Sequence, residues 1–184
     1  MKKGKFIVIS GPSGVGKGTI YNVLLKEFNG WYSVSMTTRK IREGEVDGVT
    51  YYYISKEEFK KRIDEGKVLE YNIYNDNYYG TPKDKIMEKM DEGINVFLEV
   101  DVNGARNIKK MFPDALLVYI APPSIEDLRK RLINRGTESL EVIENRIKIA
   151  EEELKQVDMY DYVVVNDNLD DALDRFRDIF SKEL

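Results

Sequence analysis

The sequence predicts an α/β fold: a parallel β-sheet core with helices on both faces, interrupted by a small α+β segment. Three observations predict it. Short apolar runs alternate with helical patterns along most of the chain, the first run passes straight into a glycine-rich loop, and residues 36–90 break the alternation with polar loops and clustered tyrosines.

The first run, "KFIVIS" (5–10), is β-branched and apolar throughout, as in a strand buried on both faces. After the glycine-rich loop, "GTIYNVLLKEF" sets Ile20, Val23, Leu24 and Phe28 at helical spacing. The alternation returns with "NVFLEVD" (95–101), a strand followed by a helix through Ala105 and Ile108. "ALLVYIA" (115–121) reads as a strand, and "PPSIEDLRKRLINRG" as a helix that opens on Pro-Ser and ends at Gly136. "EVIENRIKIAEEELKQ" reads as a solvated helix with Val142, Ile143, Ile147, Ile149 and Leu154 on its apolar side. "YVVVND" (162–167) is a further strand, and "LDDALDRFRDIFSKEL" a closing amphipathic helix. Strands separated by helices pair in parallel. Within 36–90, "YYYIS", the helix "KEEFKKRIDEG" and "KVLEYNIYNDNYYG" predict an α+β insertion with antiparallel strands.

A chain of 184 residues suits one domain with a proper core. No apolar run approaches the roughly 18 residues of a membrane span, so the expectation is a soluble, cytoplasmic protein without membrane partners. There is no cysteine, which removes disulfides and thiolate chemistry, and no histidine, which removes imidazole bases and the usual zinc sites. Any metal is then a hard cation held by oxygens. The net charge of −4 argues against nucleic acid as a partner, yet a small anion needs only a local cluster of arginines and amides.

The motifs point to phosphate. "GPSGVGKGTI" has Gly11, Gly16 and Lys17 in the register of GxxxxGK[ST], between a strand and a helix; backbone amides there cradle phosphate oxygens and Lys17 adds mobile charge. The motif's metal-binding hydroxyl is displaced: Gly18 stands in its place and Thr19 follows. Arg39 and Arg42, with Tyr51 after them, read equally as a solvated basic loop or as a second phosphate site. Glu70, in an aromatic segment, reads as a solvent-facing strand residue or as an acceptor for guanine's adjacent N1–H and 2-amino donors. Glu99 and Asp101, two apart at a strand's carboxyl end, are expected on one face, placed to contact substrate or a hydrated Mg²⁺. Arg131 and Arg135 share a helical face, and Arg146 follows beyond a Gly-Thr break, an arrangement suited to a lid over a transferring phosphoryl.

Taken in order, "GPSGVGKGT", "SVSMTTRKIREGEVDGVTYYYI", "NYYGTP", "FLEVDVNGA", "RLINRGTES" and "VVVND" resemble the guanylate kinases over essentially the whole chain. The resemblance implies ATP-dependent phosphorylation of GMP, with dGMP as a further acceptor, and Mg²⁺ as cofactor. It implies a P-loop NTPase-type core (about 1–35, 94–130 and 148–184), a GMP-binding insertion (about 36–90) and a helical lid (about 131–147). On the ATP side it implies Gly11, Pro12, Ser13, Gly14, Val15, Gly16, Lys17, Gly18 and Thr19, with Asn166 near the adenine. Thr19 is also the candidate metal ligand, the ion being held largely by phosphates and water. Lys17, Arg131, Arg135 and Arg146 would act on the transferring group. Ser35, Glu70 and Thr81 would read the guanine, Arg39, Arg42, Tyr51 and Tyr79 would bind the GMP phosphate, Gly80 would also line the GMP site, and Glu99 and Asp101 would complete the nucleotide region. The resemblance also leaves two other readings to weigh: a non-catalytic module on the same fold, against which Lys17 and the lid arginines speak, and a kinase for another monophosphate, which Glu70 tests.

Overall fold

The computed structural model describes residues 2–184. Its elements run β1 (Phe6–Ser10), α1 (Lys17–Glu27), β2 (Gly30–Tyr32), β3 (Met36–Thr37), β4 (Tyr52–Tyr53), α2 (Lys56–Asp64), β5 (Val68–Tyr74), β6 (Asn77–Pro82), α3 (Lys83–Asp91), β7 (Asn95–Glu99), α4 (Val102–Met111), β8 (Leu116–Ala121), α5 (Ile125–Arg135), α6 (Leu140–Leu154), β9 (Tyr162–Val165) and α7 (Leu169–Glu183).

The main sheet is parallel, in the order β2-β7-β1-β8-β9, with β1 central and buried at every residue. Its side chains serve two cores by strict alternation. Ile7 and Ile9 pack with Ile20 and Leu24 of α1 and Phe176 and Phe180 of α7; Phe6 and Val8 pack on the other face with Ile86 of α3 and Ala105 and Ile108 of α4. That double burial is why the strand reads as an unbroken apolar run. Since all five strands point one way, the loops after β1, β7, β8 and β9 gather at one edge. The edge strand β2 escapes the sequence pattern because it is three residues long, led by glycine and only half-buried.

The insertion forms a second sheet, β4-β3-β6-β5. Strand β6 runs antiparallel to β5 and β3, and the β5–β6 hairpin turns through Asn75 and Asp76, both at positive φ (46° and 60°) as a tight primed turn requires. Contrary to the all-antiparallel expectation, β4 pairs parallel with β3. Residues 38–51 join them, enough chain to bring the strand back to the same end. Phe59 of α2 is the insertion's buried anchor, against the rings of Tyr78 and Tyr71.

Two local expectations need correction. Strand β7 stops at Glu99, and Asp101 is the N-cap of α4, accepting a hydrogen bond from the Gly104 amide at 2.7 Å, so the strand alternation that would put both acids on one face does not reach Asp101. In α6 the buried stripe is Ile143, Ile147 and Ala150, which packs on Leu128 and Leu132 of α5; Val142 and Ile149 lie one step round the helix and are 42% and 53% exposed. Arg129 ties the same pair of helices from outside, bonding Glu144 at 2.9 Å and Glu126 at 3.0 Å.

This division of α6 has a measurable consequence. Ile147→Ala removes a buried branched side chain and is expected to destabilise the fold by about 2–4 kcal/mol in urea unfolding, whereas Ile149→Ala is expected to change stability by less than about 0.5 kcal/mol. Equal losses would show that both residues pack in the interior.

Candidate active site

The loop between β1 and α1 closes on itself through two glycines in the left-handed region, Gly14 (φ 85°) and Gly16 (φ 99°). Residues with side chains rarely adopt that conformation, and here there is also no room. A Cβ on Gly14 would come within 2.7 Å of Leu132 Cδ2, and one on Gly16 within 2.6 Å of Asn166 Nδ2. Asn166, buried at the end of β9, donates to the Val15 carbonyl at 2.7 Å and so fastens the loop to the sheet edge. A Cβ on Gly18 would meet nothing within 4 Å, so packing does not demand glycine at the displaced motif position.

Lys17, the first residue of α1, folds back over the loop. Its ammonium donates to the carbonyls of Gly11 (2.5 Å) and Pro12 (3.1 Å) and stands 3.6 Å from Glu99 Oε1. Burial pushes its pKa down, and the charges of Glu99 and Glu153 oppose that shift. Above the loop opens a cleft of about 470 Å³, walled by Ser13 to Thr19, Glu99, Asn166 and Arg131 and Arg135 of α5. Arg131 donates to the Asp167 carbonyl at 3.3 Å, and Arg146 of α6 reaches across to the Ser13 hydroxyl and to Glu138. The structure thus brings the loop, Asn166, Glu99 and the three arginines of α5 and α6 together. Asp101 does not join them; it borders a separate hollow with Asn103, Lys148, Glu152 and Glu153.

The insertion carries two further groupings. In the first, the Thr81 hydroxyl, buried on β6, donates to Glu70 Oε1 of β5 at 2.7 Å, and Gly80 lies beside them. Glu70 is therefore half-buried and engaged, not a free surface carboxylate. In the second, the Arg39 guanidinium lies 5.6 Å from the Tyr51 ring centre, with Tyr79 in hydrogen-bonding reach and the Tyr51 and Tyr79 rings 6.0 Å apart. Arg42 contributes a backbone amide to this loop while the residue itself is exposed, and the Ser35 carbonyl accepts from the Tyr52 amide between β3 and β4. A glycine-rich loop with Lys17 on the core and an arginine–tyrosine cluster on the insertion thus present cations at two separate places.

Residues 3–183 match the guanylate kinase family. The chain belongs to that family. It is 49% identical to the guanylate kinase of Clostridium tetani over 183 residues, which is all of this chain and 88% of that one, and 48% identical to the guanylate kinase of Enterococcus faecalis over 99% and 90%. Its fold superposes on a crystal structure of guanylate kinase from Anaplasma phagocytophilum with a TM-score of 0.74 and 33% identity, covering 99% of this chain and 87% of the other. As a guanylate kinase it is a phosphotransferase, and its reaction is the ATP-dependent phosphorylation of GMP to GDP.

Several residues of this guanylate kinase site carry no sequence signal. Glu45 binds Arg39 through both carboxylate oxygens, at 2.7 and 2.9 Å, and accepts from the Tyr53 hydroxyl at 2.8 Å. Both lie in a segment already marked as functional, yet a loop has no periodicity to say which acid meets which base. Tyr32, at the end of β2, stacks edge-on against Tyr21 with ring centres 5.3 Å apart. Its hydroxyl is pushed up to about 12 by burial first and by Glu99 and Tyr51 after it. As for a metal, no group of three or more acidic side chains able to hold one occurs among the described residues. Thr19 and Glu99 are oxygen donors on the cleft wall, a set that suits a hard cation carried in on phosphates and water.

The crowding at Gly16 makes a sharp test. Gly16→Ala strains a left-handed position and displaces Asn166, so it is expected to cost about 1–3 kcal/mol of stability and to raise the KM for ATP, read by urea unfolding and a coupled assay. A Gly18→Ala control, with open space around it, is expected to leave stability within about 0.5 kcal/mol.

Proposed function

We propose that this kinase divides its substrates between the two sites: ATP on the core loop with its phosphates under Lys17, and GMP in the insertion. The observation that carries the reading is the pairing of Glu70 with Thr81 in one place and of Arg39 with Tyr51 and Tyr79 in another. The first suits a base with adjacent donors and the second a phosphate. With one lone pair engaged by Thr81, the Glu70 carboxylate keeps acceptor positions for guanine N1–H and the 2-amino group, while adenine would present an acceptor there and be refused. Ser35 and Gly80 flank the base, and Arg42, whose side chain is exposed, is available to swing onto the phosphate. The family resemblance adds dGMP, which shares the base edge and phosphate of GMP, as a second acceptor.

Transfer between the two phosphates needs no side-chain base, which suits a chain without histidine; alignment and neutralisation of charge supply the rate. Lys17 leaves its two carbonyl partners for the phosphoryl oxygens. Arg131, Arg135 and Arg146 then close over the transferring group as residues 131–147 move with the lid, and Asn166 steadies the loop beneath the adenosine side. Mg²⁺, entering with ATP, neutralises phosphate charge when bound, and Thr19 and Glu99 are the residues placed to hold its water shell. Asp101, held as a helix cap, contributes only through a rearrangement at the start of α4. The reaction belongs to the cytoplasm, where ATP and GMP meet.

Lys17→Ala is expected to lower turnover by at least about 10²-fold while the protein still unfolds cooperatively at a similar urea midpoint. Near-normal turnover would overturn the assignment. With a panel of GMP, dGMP, AMP, UMP and dTMP, Glu70→Gln is expected to lose about 10²-fold or more in kcat/KM for GMP and dGMP alone. Thr19→Val is expected to shift the Mg²⁺ concentration for half-maximal rate upward if its hydroxyl orders the ion's waters, and an unchanged Mg²⁺ dependence would assign the ion to the phosphates and water.

A further inference from the structure

Glu45 makes more contacts than any charge-balancing role requires. Its two oxygens accept four hydrogen bonds: from Arg39 Nη1 at 2.9 Å and Nη2 at 2.7 Å, from the Tyr53 hydroxyl at 2.8 Å and from the Arg42 amide at 2.8 Å. Both side chains of the pair are well covered, Arg39 at 13% and Glu45 at 19% exposure. Arg39 also lies over two rings on one side, 5.6 Å from the centre of Tyr51 and 5.8 Å from that of Tyr53, the two rings meeting edge-on at 6.0 Å. The carboxyl is held down to about 2 by Arg39 first and by the Arg42 amide and Tyr53 after it, so it is charged whenever the enzyme works.

The way Arg39 spends its five N–H groups decides the role. Nη1 gives one hydrogen to Glu45 and one to the Lys40 carbonyl at 2.9 Å, and Nη2 gives one to Glu45. Nε–H and the second hydrogen of Nη2, which lie side by side and parallel on the other edge of the plane, bond no carboxylate or carbonyl. That edge is a complete second fork, of the shape that grips two oxygens of a phosphate.

We propose that Glu45 is the positioning residue of the acceptor-phosphate subsite: by holding the outer edge of Arg39 it presents the Nε–Nη2 edge, already formed, to the phosphate of GMP. This rests on the reading that Arg39, Tyr51 and Tyr79 take that phosphate. Pre-formation matters because an arginine side chain is rich in rotamers, and fixing it before the ligand arrives removes an ordering cost from binding. Through the Arg42 amide the same carboxylate sets the backbone from which the second arginine reaches.

The proposal predicts the sign of an effect, because two forces oppose each other. A negative charge beside a dianion site repels the ligand, so if Glu45 only balances charge, its neutral isostere binds GMP better. If Glu45 positions Arg39, the isostere binds GMP worse. We expect Glu45→Gln in the full chain to raise the KM for GMP about 10- to 100-fold, with the KM for ATP and the inhibition constant of guanosine, which lacks the phosphate, each within about 2-fold. In an Arg39→Lys background, which has no fork to hold, the same substitution is expected to change the KM for GMP by less than about 3-fold. An unchanged or lowered KM for GMP in Glu45→Gln, or an equal loss in both backgrounds, would overturn the proposal. Tyr53→Phe removes one donor to Glu45 and leaves the ion pair; it is expected to raise the KM for GMP about 2- to 5-fold, and it keeps the test decisive if Glu45→Gln does not fold. Arg39→Lys alone separates the two levels of the argument. If it leaves GMP binding intact, the subsite reading falls and the proposal with it; if it weakens GMP while Glu45→Gln does not, the proposal falls alone.

Discussion

A buried parallel strand that must hand its chain to a helix has a tight turn to make, and in this protein the turn is possible only with Gly14 and Gly16 at positive φ. Everything at the cleft depends on that turn. It puts Lys17 at the first position of α1 and lets it reach back to the Gly11 and Pro12 carbonyls. It also brings Val15 to Asn166, so β9, at the far edge of the sheet, is tied to the loop that leaves the central strand. The parallel order of the sheet then delivers Glu99 and the lid helices to the same edge, because their strands end where β1 ends.

Around this edge the protein faces an electrostatic problem. Clustered cations repel one another, and the structure answers with carboxylates: Glu99 beside Lys17, Glu45 on Arg39, Glu138 on Arg146. The three pairs differ in what the partner does. Glu99 stands 3.6 Å from Lys17 on the open cleft, a single ion pair, while Glu45 is held by four donors. One carboxylate is loosely held and the other firmly. The distinction rests on how many hydrogen bonds each would have to break.

Much of this was legible in the residue order. The strand, loop and helix around Lys17 announce themselves by composition alone, since an apolar run of β-branched residues, a GxxxxGK spacing and a helical period coincide within residues 5–28. The helices α5 and α7 begin where Ser124 and Asn168 sit, and both side chains cap as their residue types suggest. Other features were hidden for identifiable reasons. Strand β2 is too short to show a period, and the parallel pairing of β4 with β3 depends on the path of a long loop. Asp101 looks like a strand residue because DVNG is equally a strand end or a helix cap, and only the hydrogen bond to Gly104 separates the two.

What the sequence determined by itself are the local events: which segments bury both faces, where the chain must turn, and where a helix starts. These follow from backbone sterics and from periodicity, which act between near neighbours. The tertiary structure decided which charges meet. Glu45 and Arg39 are six residues apart in a loop, Glu70 and Thr81 stand on opposite strands, and Arg146 finds Ser13 across most of the chain. Pairings of this kind depend on distances that close only when the sheet has been assembled, so the same residues in sequence order name the chemistry without yet building the site.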